Sequence, residues 1–519
     1  MGKIVIDPVT RIEGHLKVEA TVDGGEVKEA RCSGVLFRGF ELILKGRDPR
    51  DAARFTQRVC GVCPAGHATA SALALDNAFG IDGNLTDNGR IIRNLILGSN
   101  FLQSHILHFY HLAALDFVDV TAAADYEGSD PDLQSVKGFI SRGVLEPFVP
   151  RYEGDYRLPK EVNREATAHY IQGLRMRRKA QEILSIFGGK MPHNMGTVAG
   201  GVTAGASVDK IAAFLHGLNE IRFFIDNVYI PDVIAVAQAY SDYFSIGRGA
   251  EQFLSYGVFD TAGGKDDPLE RTRFLPQGLV DSGLNKTDVD ESKITEYVTH
   301  SWYDEKGGNT HPSREDTVPQ EDKEEAYSWL KSPRYDDTVT EVGPLSRMLS
   351  AYVAGHEQAQ ELIDSTLSAL NAEPGALMSV CGRHAARALE AKIVADAMSE
   401  WVTQVKPGEP VYTEYDMPEQ TEGAGLSEAP RGALGHWIRI KDRKIENYQL
   451  VVPTTWNASP RDKNGNPGPM EQSIMGTKIK DEDNPFEIVR IVRSFDPCLA
   501  CSVHAVDHRG RGIASYRVS

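Results

Sequence analysis

Two cysteine pairs of the form C-x-x-C stand near opposite ends of this 519-residue chain: Cys60-Gly61-Val62-Cys63 and Cys498-Leu499-Ala500-Cys501. A histidine follows each, His67 and His504, and the pairs take four of only six cysteines. The spacing lets two sulfurs reach one metal ion, so two pairs make a complete four-thiolate site. Structural zinc is the ordinary occupant of such a site. Zinc sites of this kind usually keep their pairs within about 15–20 residues, whereas here more than 400 residues intervene. The spacing argues against a structural clip.

The elements that must carry these residues read as mostly helical. Leu16–Ala20 and Glu26–Ala30 alternate in a strand-like way about Asp23-Gly24-Gly25, a hairpin signal. From Asp48-Pro49 the pattern turns helical, and the first cysteine pair lies just ahead of or within a helix through Ala68 to Phe79. Apolar spacing predicts further helices over about 88–118, 161–187, 207–245, 346–371 and 376–405. The stretch from about 255 to 340 is rich in Asp, Gly and Pro and reads as irregular surface structure. Trp437–Ile440 and Asn447–Val452 suggest a second hairpin. The fold class expected is α+β, mainly α: a long-helix core with small β-sheets as hairpins at both chain ends, brought together by the four cysteines.

Composition narrows the partners. A net charge of −17 offers no basic patch to nucleic acid. No apolar run reaches the length of a membrane span, and the start, Met1–Asp7, looks like a first strand rather than an export signal. Six cysteines in so long a chain make no disulfide framework; Cys32 and Cys381 read as buried thiols.

The motifs together are specific. Arg11-Ile12-Glu13-Gly14-His15, Phe37-Arg38-Gly39-Phe40-Glu41, Arg58–Cys63 with His67, Ala429-Pro430-Arg431-Gly432 and Asp496–Cys501 with His504 occur in this order. With Gly188–His193, Glu341–Leu345 and Gly382–Arg387, they make the chain resemble, over nearly its whole length, the large catalytic subunit of a nickel–iron hydrogenase. Gln103–Leu112 is most similar to the nickel–iron–selenium branch, although Cys498 stands where that branch typically has selenocysteine.

The resemblance implies a reversible, heterolytic cleavage of H2 into two protons and two electrons. It implies that Cys60, Cys63, Cys498 and Cys501 bind nickel, with Cys63 and Cys501 also bridging to an iron that carries carbon monoxide and two cyanides. Cys498 would be the first proton acceptor and Glu13 the next. Arg431 would face the metals and hydrogen-bond one cyanide, with Asp496 as its anchor. Thr454 would serve the other cyanide, and His67 a bridging sulfur. Glu41, His504 and the carbonyl of Leu450 resemble ligands of a separate structural magnesium, sometimes assigned as iron. Of the residues that recur on the most apolar helix, His105, His108 and His111, the expectation is satisfied core histidines rather than ligands.

The same resemblance implies partners. Cys32 and Cys381 cannot hold an iron–sulfur cluster between them, so electrons go to an iron–sulfur small subunit. That subunit would carry the export signal to the periplasm, the alternative being a cytoplasmic location. Nickel and iron insertion proteins would load the site, and a maturation endoprotease would then cut after His504. Residues 1–504 form one expected domain and 505–519 a propeptide. The rivals are a hydrogen sensor on the same metal site, which usually lacks the cleaved tail; a metal-free relative in respiratory complex I, opposed by the four cysteines; and a structural zinc protein.

Overall fold

In the computed structural model, which describes residues 2–262 and 267–502 except the side chains of Pro147, Cys501 and Ser502, the two chain ends meet. Strands β1 (Gly2–Ile6), β2 (Leu16–Asp23) and β3 (Glu26–Gly34) form an antiparallel sheet in that order. The alternation behind the predicted hairpin puts Leu16, Val18, Ala20 and Val22 on one buried face. The loop from β1 to β2 pairs elsewhere: Glu13 forms an isolated parallel bridge with Cys498.

Helix α1 (Pro64–Ala78) starts with proline in its first turn, where no amide is needed. It is almost wholly buried, and small residues explain how. Ala70, Ala74 and Ala78 recur every fourth residue and make a flat stripe. Strand β4 (Gln420–Ala429) lies against it through Gly423 and Gly425. A Cβ on Gly425 would fall 2.0 Å from the Ala70 carbonyl oxygen, and one on Gly423 2.5 Å from that of Ala74. β4 continues into Pro430-Arg431, so this packing brings Arg431 toward the start of α1, where Cys63 stands. Strands β5 (Gly432–Lys441) and β6 (Lys444–Val451) complete an antiparallel sheet, order β4-β5-β6. The second hairpin was legible in the sequence; β4, with its glycines and alanines, was not.

The core lies among α2 (Asp87–Leu107), α3 (Lys160–Gly188), α4 (Val208–Phe224) and α5 (Val380–Gln404). Phe101, Leu184, Phe187, Phe214, Ile221, Ile393 and Met398 are buried together there. Thr86 caps α2 by accepting from the Gly89 amide, and Ser379 caps α5 by accepting from Gly382. The helix predicted over 88–118 changes pitch: α2 gives way to a π-helical turn, His108–Ala113, then a 3-10 turn, Ala114–Asp116. That predicted over 346–371 breaks at Gly355 into Pro344–Val353 and Glu357–Leu370.

The 255–340 stretch departs from the surface structure expected of it. It contributes short antiparallel strands, including Val258–Asp260 with Arg273–Leu275 and Ile294–Tyr297 with Ser332–Tyr335, and buries Glu296, Glu315, Lys331 and Arg334. Local polarity misled because these charges are paired inside.

Candidate metal centre

The sulfurs of Cys60, Cys63 and Cys498 all lie within 4.8 Å of one another and are buried. Cys60 Sγ is 3.3 Å from Cys498 Sγ across 438 positions of sequence. Both loops are fixed from outside. Asn100 and Gln103 of α2 donate to the Val62 carbonyl at 2.8 and 2.6 Å, and the Val62 amide points at Cys60 Sγ, 3.2 Å away. Arg38 donates to the carbonyls of Arg58 and Val59, both at 2.7 Å, and to that of Ala500 at 3.3 Å, tying one cysteine loop to the other. Arg38 and Gln103 fall within motifs in the sequence, but their hold on the cysteine loops shows only in the fold. Cys63 caps α1, so its sulfur sits at the positive end of the helix dipole, which favours a thiolate.

Glu13 reaches this cluster. Its Oε2 lies 3.1 Å from Cys498 Sγ and accepts from the Ala500 amide at 2.9 Å. The backbone locks the register: the Glu13 amide donates to Pro497 and the Leu499 amide donates to Glu13. Burial, then the Cys60 sulfur, push the Glu13 carboxyl above its ordinary value, against the hydrogen bonds from Cys498 and Ala500. A carboxyl so placed can exchange a proton with the Cys498 sulfur.

Arg431 is buried and held twice by Asp496, its Nε on the carbonyl and Nη2 on Oδ1, each at 2.8 Å. A third contact reaches Ser104 Oγ at 3.4 Å. Burial acts to discharge the guanidinium, but Asp496 and the sulfurs of Cys498, Cys63 and Cys60 hold its pKa well above normal. The Thr454 hydroxyl accepts from the Cys498 amide at 2.9 Å, which leaves its own proton to donate.

One ring nitrogen of His67 joins a buried chain away from the sulfurs. Its Nδ1 is 3.2 Å from His436 Nε2, and His436 Nδ1 continues to the Tyr448 hydroxyl at 2.8 Å. His67 Nε2 has no partner among the described residues. Burial pushes its pKa down to about 4, so the ring is neutral. His105, His108 and His111 go to Glu390 Oε2, the Arg493 carbonyl and the Tyr170 carbonyl, three separate places. His105 and His108 are buried and His111 is half-buried, and each leaves its Nδ1 without a partner among the described residues, so they are less fully satisfied than expected; His105 also has an acidic partner.

Glu41 is buried and accepts from the Leu450 amide at 3.1 Å and from the Thr317 hydroxyl. Lys331 Nζ lies 2.7, 3.4 and 3.6 Å from Glu315, Glu296 and Glu41. One ammonium for three carboxylates leaves negative charge in a dry interior. Burial accordingly pushes Glu315 well up and Glu296 up, and the three glutamates hold Lys331 well up against burial. An excess of buried oxygen donors suits a hard cation. Among the described residues, however, no three carboxylate, histidine or cysteine donors converge there as the thiols do. His504, the segment 505–519 and the Cys501 side chain lie outside the described residues.

Three buried sulfurs on loops from both termini, with a fixed guanidinium and a carboxyl against them, define a site that could hold a soft metal ion. The comparisons give the family. The family model described as nickel-dependent hydrogenase matches residues 38–504, and a HoxL-like model matches 3–33. The periplasmic [NiFeSe] hydrogenase large subunit of Desulfomicrobium baculatum is 42% identical, over 97% of this chain and 95% of its own. An uptake hydrogenase large subunit of Rhizobium leguminosarum bv. viciae is 38% identical, over 99% and 97%. The crystal structure of the reduced, active Ni-Fe-Se hydrogenase from D. baculatum matches with a TM-score of 0.85 and 42% identity, over 97% of this chain and all of that one. The chain belongs to the nickel-dependent hydrogenase family and is a catalytic large subunit, a nickel–iron enzyme acting on H2.

Proposed function

We propose that Cys60, Cys63, Cys498 and Cys501 hold the nickel, with Cys63 and Cys501 shared with an iron bearing carbon monoxide and two cyanides. The observation that carries this is the convergence of three buried sulfurs from opposite chain ends. When bound, such a centre supplies the heterolytic cleavage of H2. The chain's own residues then move the proton. Cys498 Sγ accepts it and passes it 3.1 Å to Glu13 Oε2, whose raised pKa suits an acceptor that must also release. Arg431, anchored by Asp496, keeps a permanent positive charge beside the sulfurs and donates to one cyanide. Thr454 has a free hydroxyl proton for the other. His67, oriented through Nδ1 by His436, keeps Nε2 for a bridging sulfur.

Glu41, the Leu450 carbonyl and His504 are proposed to hold a structural magnesium or iron. The negative surplus around Lys331 supports a cation there. Cys32 and Cys381 lie in separate places, Cys32 with its amide on Glu471 and Cys381 with its thiol 3.6 Å from the Tyr240 carbonyl. This supports transfer of electrons to an iron–sulfur small subunit. The family match ends at residue 504, which supports 1–504 as the mature domain and 505–519 as a propeptide removed by an endoprotease after metal insertion. No described helix is long and apolar enough to cross a membrane. The periplasmic relative supports a periplasmic location by co-export with the small subunit.

The test is Glu13→Gln in the holoenzyme. Nickel content should match the wild type while H2-dependent dye reduction collapses. A Glu13→Gln enzyme of wild-type rate per nickel would remove Glu13 from the proton path.

A further inference from the structure

Asp116, which belongs to none of the motifs quoted above, joins the two segments that bring Glu13 and Cys498 together. It ends the 3-10 turn that follows the π-helical turn of α2 and is fully buried. One of its oxygens, Oδ1, accepts from Arg11 Nη2 and from Arg493 Nη1, each at 2.5 Å. Arg11 lies two residues before Glu13, and Arg493 five before Cys498. Arg493 also reaches across to the first segment, where its Nε and Nη2 donate to the Thr10 carbonyl at 3.0 and 2.9 Å.

The π-helical turn grips both segments as well. Arg11 Nη1 donates to the Leu112 carbonyl at 3.0 Å, and His108 Nε2 lies 2.6 Å from the Arg493 carbonyl. A wide helical turn moves backbone and side-chain groups out of the ordinary helical register, which is how such turns come to serve sites. Arg11 takes a left-handed backbone, φ 54°, and Asp496 another, φ 55°. Non-glycine residues hold that conformation at a cost and only where surroundings enforce it. For Arg11 the contacts of its guanidinium with Asp116 and the Leu112 carbonyl supply the enforcement; for Asp496 the two contacts with Arg431 do.

We infer that Asp116, Arg11 and Arg493 are positioning residues for proton transfer, setting the separation of Glu13 from the Cys498 sulfur. The inference rests on the reading of Glu13 as proton acceptor. A proton passes between sulfur and oxygen only at hydrogen-bond reach, and a shift of about 1 Å can lower a rate a hundredfold. Buried ion pairs are not needed for stability as such, since apolar replacements often serve as well. A carboxylate shared by two arginines is well suited to fixing geometry.

Three holoenzymes, Arg11→Gln, Asp116→Asn and Glu13→Gln, are compared with the wild type, each purified with its co-purifying partner. Arg11→Gln is the milder change because it leaves the Asp116–Arg493 pair. Read-outs are nickel content, H2 oxidation per nickel, the solvent deuterium isotope effect, and the crystallographic separation of Glu13 Oε2 from Cys498 Sγ. The inference predicts that Arg11→Gln and Asp116→Asn slow the per-nickel rate roughly ten- to a hundredfold, raise the isotope effect and lengthen the 3.1 Å contact. Wild-type isotope effect and contact in both variants overturn it, including when activity falls only in proportion to nickel. If Glu13→Gln keeps the wild-type rate, the reading of Glu13 fails; if it collapses while the other two match the wild type, the positioning inference alone fails.

Discussion

The sulfur of Cys498 and the carboxyl of Glu13 lie 3.1 Å apart although 485 positions separate them in the chain. Their backbones form a parallel bridge of a single residue pair, so the contact depends on the loops that flank it rather than on a sheet. Each loop has its own device for closing the distance, and each device can be removed separately.

Gly14 is the first. Its φ of +82° is a left-handed conformation, and a Cβ there would lie 2.7 Å from Leu499 Cβ and 2.9 Å from the Ala500 amide. Gly14→Ala should therefore push the two loops apart. Stability falls by about 1–2 kcal/mol from the backbone alone, and H2 oxidation per nickel falls roughly ten- to a hundredfold. Thermal unfolding and dye reduction on the same preparation check both.

Cys498 itself is replaceable by serine without steric cost, since it is buried and the hydroxyl is the smaller group. The Thr454 contact to its amide is untouched by the change. Cys498→Ser should fold, with an unaltered circular dichroism spectrum, and lose H2 oxidation. A fully active variant would overturn the ligand assignment.

A deeper network holds the segment before Arg431. Arg347 donates to the carbonyls of Ala429 at 3.0 Å and Pro430 at 2.8 Å, and pairs with both oxygens of Glu390. Burial lowers the pKa of His105, so the positive charge beside Glu390 is that of Arg347. Glu390→Gln removes a charge from the interior, and the denaturation midpoint should drop by an amount equivalent to about 3 kcal/mol or more. A midpoint within error of the wild type would show the pair to be dispensable.

Glu428 shares the same arginine, 2.8 Å away. One guanidinium cannot serve two buried carboxylates fully, and burial pushes Glu428 up to about 7 despite Arg347. Between its ordinary value and 7 the folded state keeps a proton that the unfolded state has lost. Stability from this group therefore falls as pH rises through that window and stays low above it. Glu428→Gln is neutral at every pH. Its stability relative to wild type should improve by roughly 2–3 kcal/mol between pH 5 and 8. A difference that does not vary with pH would refute the shift.

Much of this was legible in residue types. The hairpin around Asp23-Gly24-Gly25 forms as read, and the residues singled out by type come together: Glu13 against Cys498, and Arg431 against Asp496. The failures have physical causes. β4 lacked an apolar alternation because its glycines and alanines answer the flat face of α1 rather than a hydrophobic layer. The 255–340 stretch looked solvated because its charged residues Glu296, Glu315 and Lys331 are gathered in the interior, with one ammonium shared among the carboxylates. Nothing in local sequence pairs His67 with His436, 369 positions away.

Whether thiols from the two chain ends hold nickel is decided by metal analysis of the holoenzyme. About one nickel per chain is expected, surrounded by sulfur in X-ray absorption, with loss of that nickel in Cys60→Ser and Cys498→Ser alike. Zinc in place of nickel in an active preparation, or nickel retained in both variants, would contradict it.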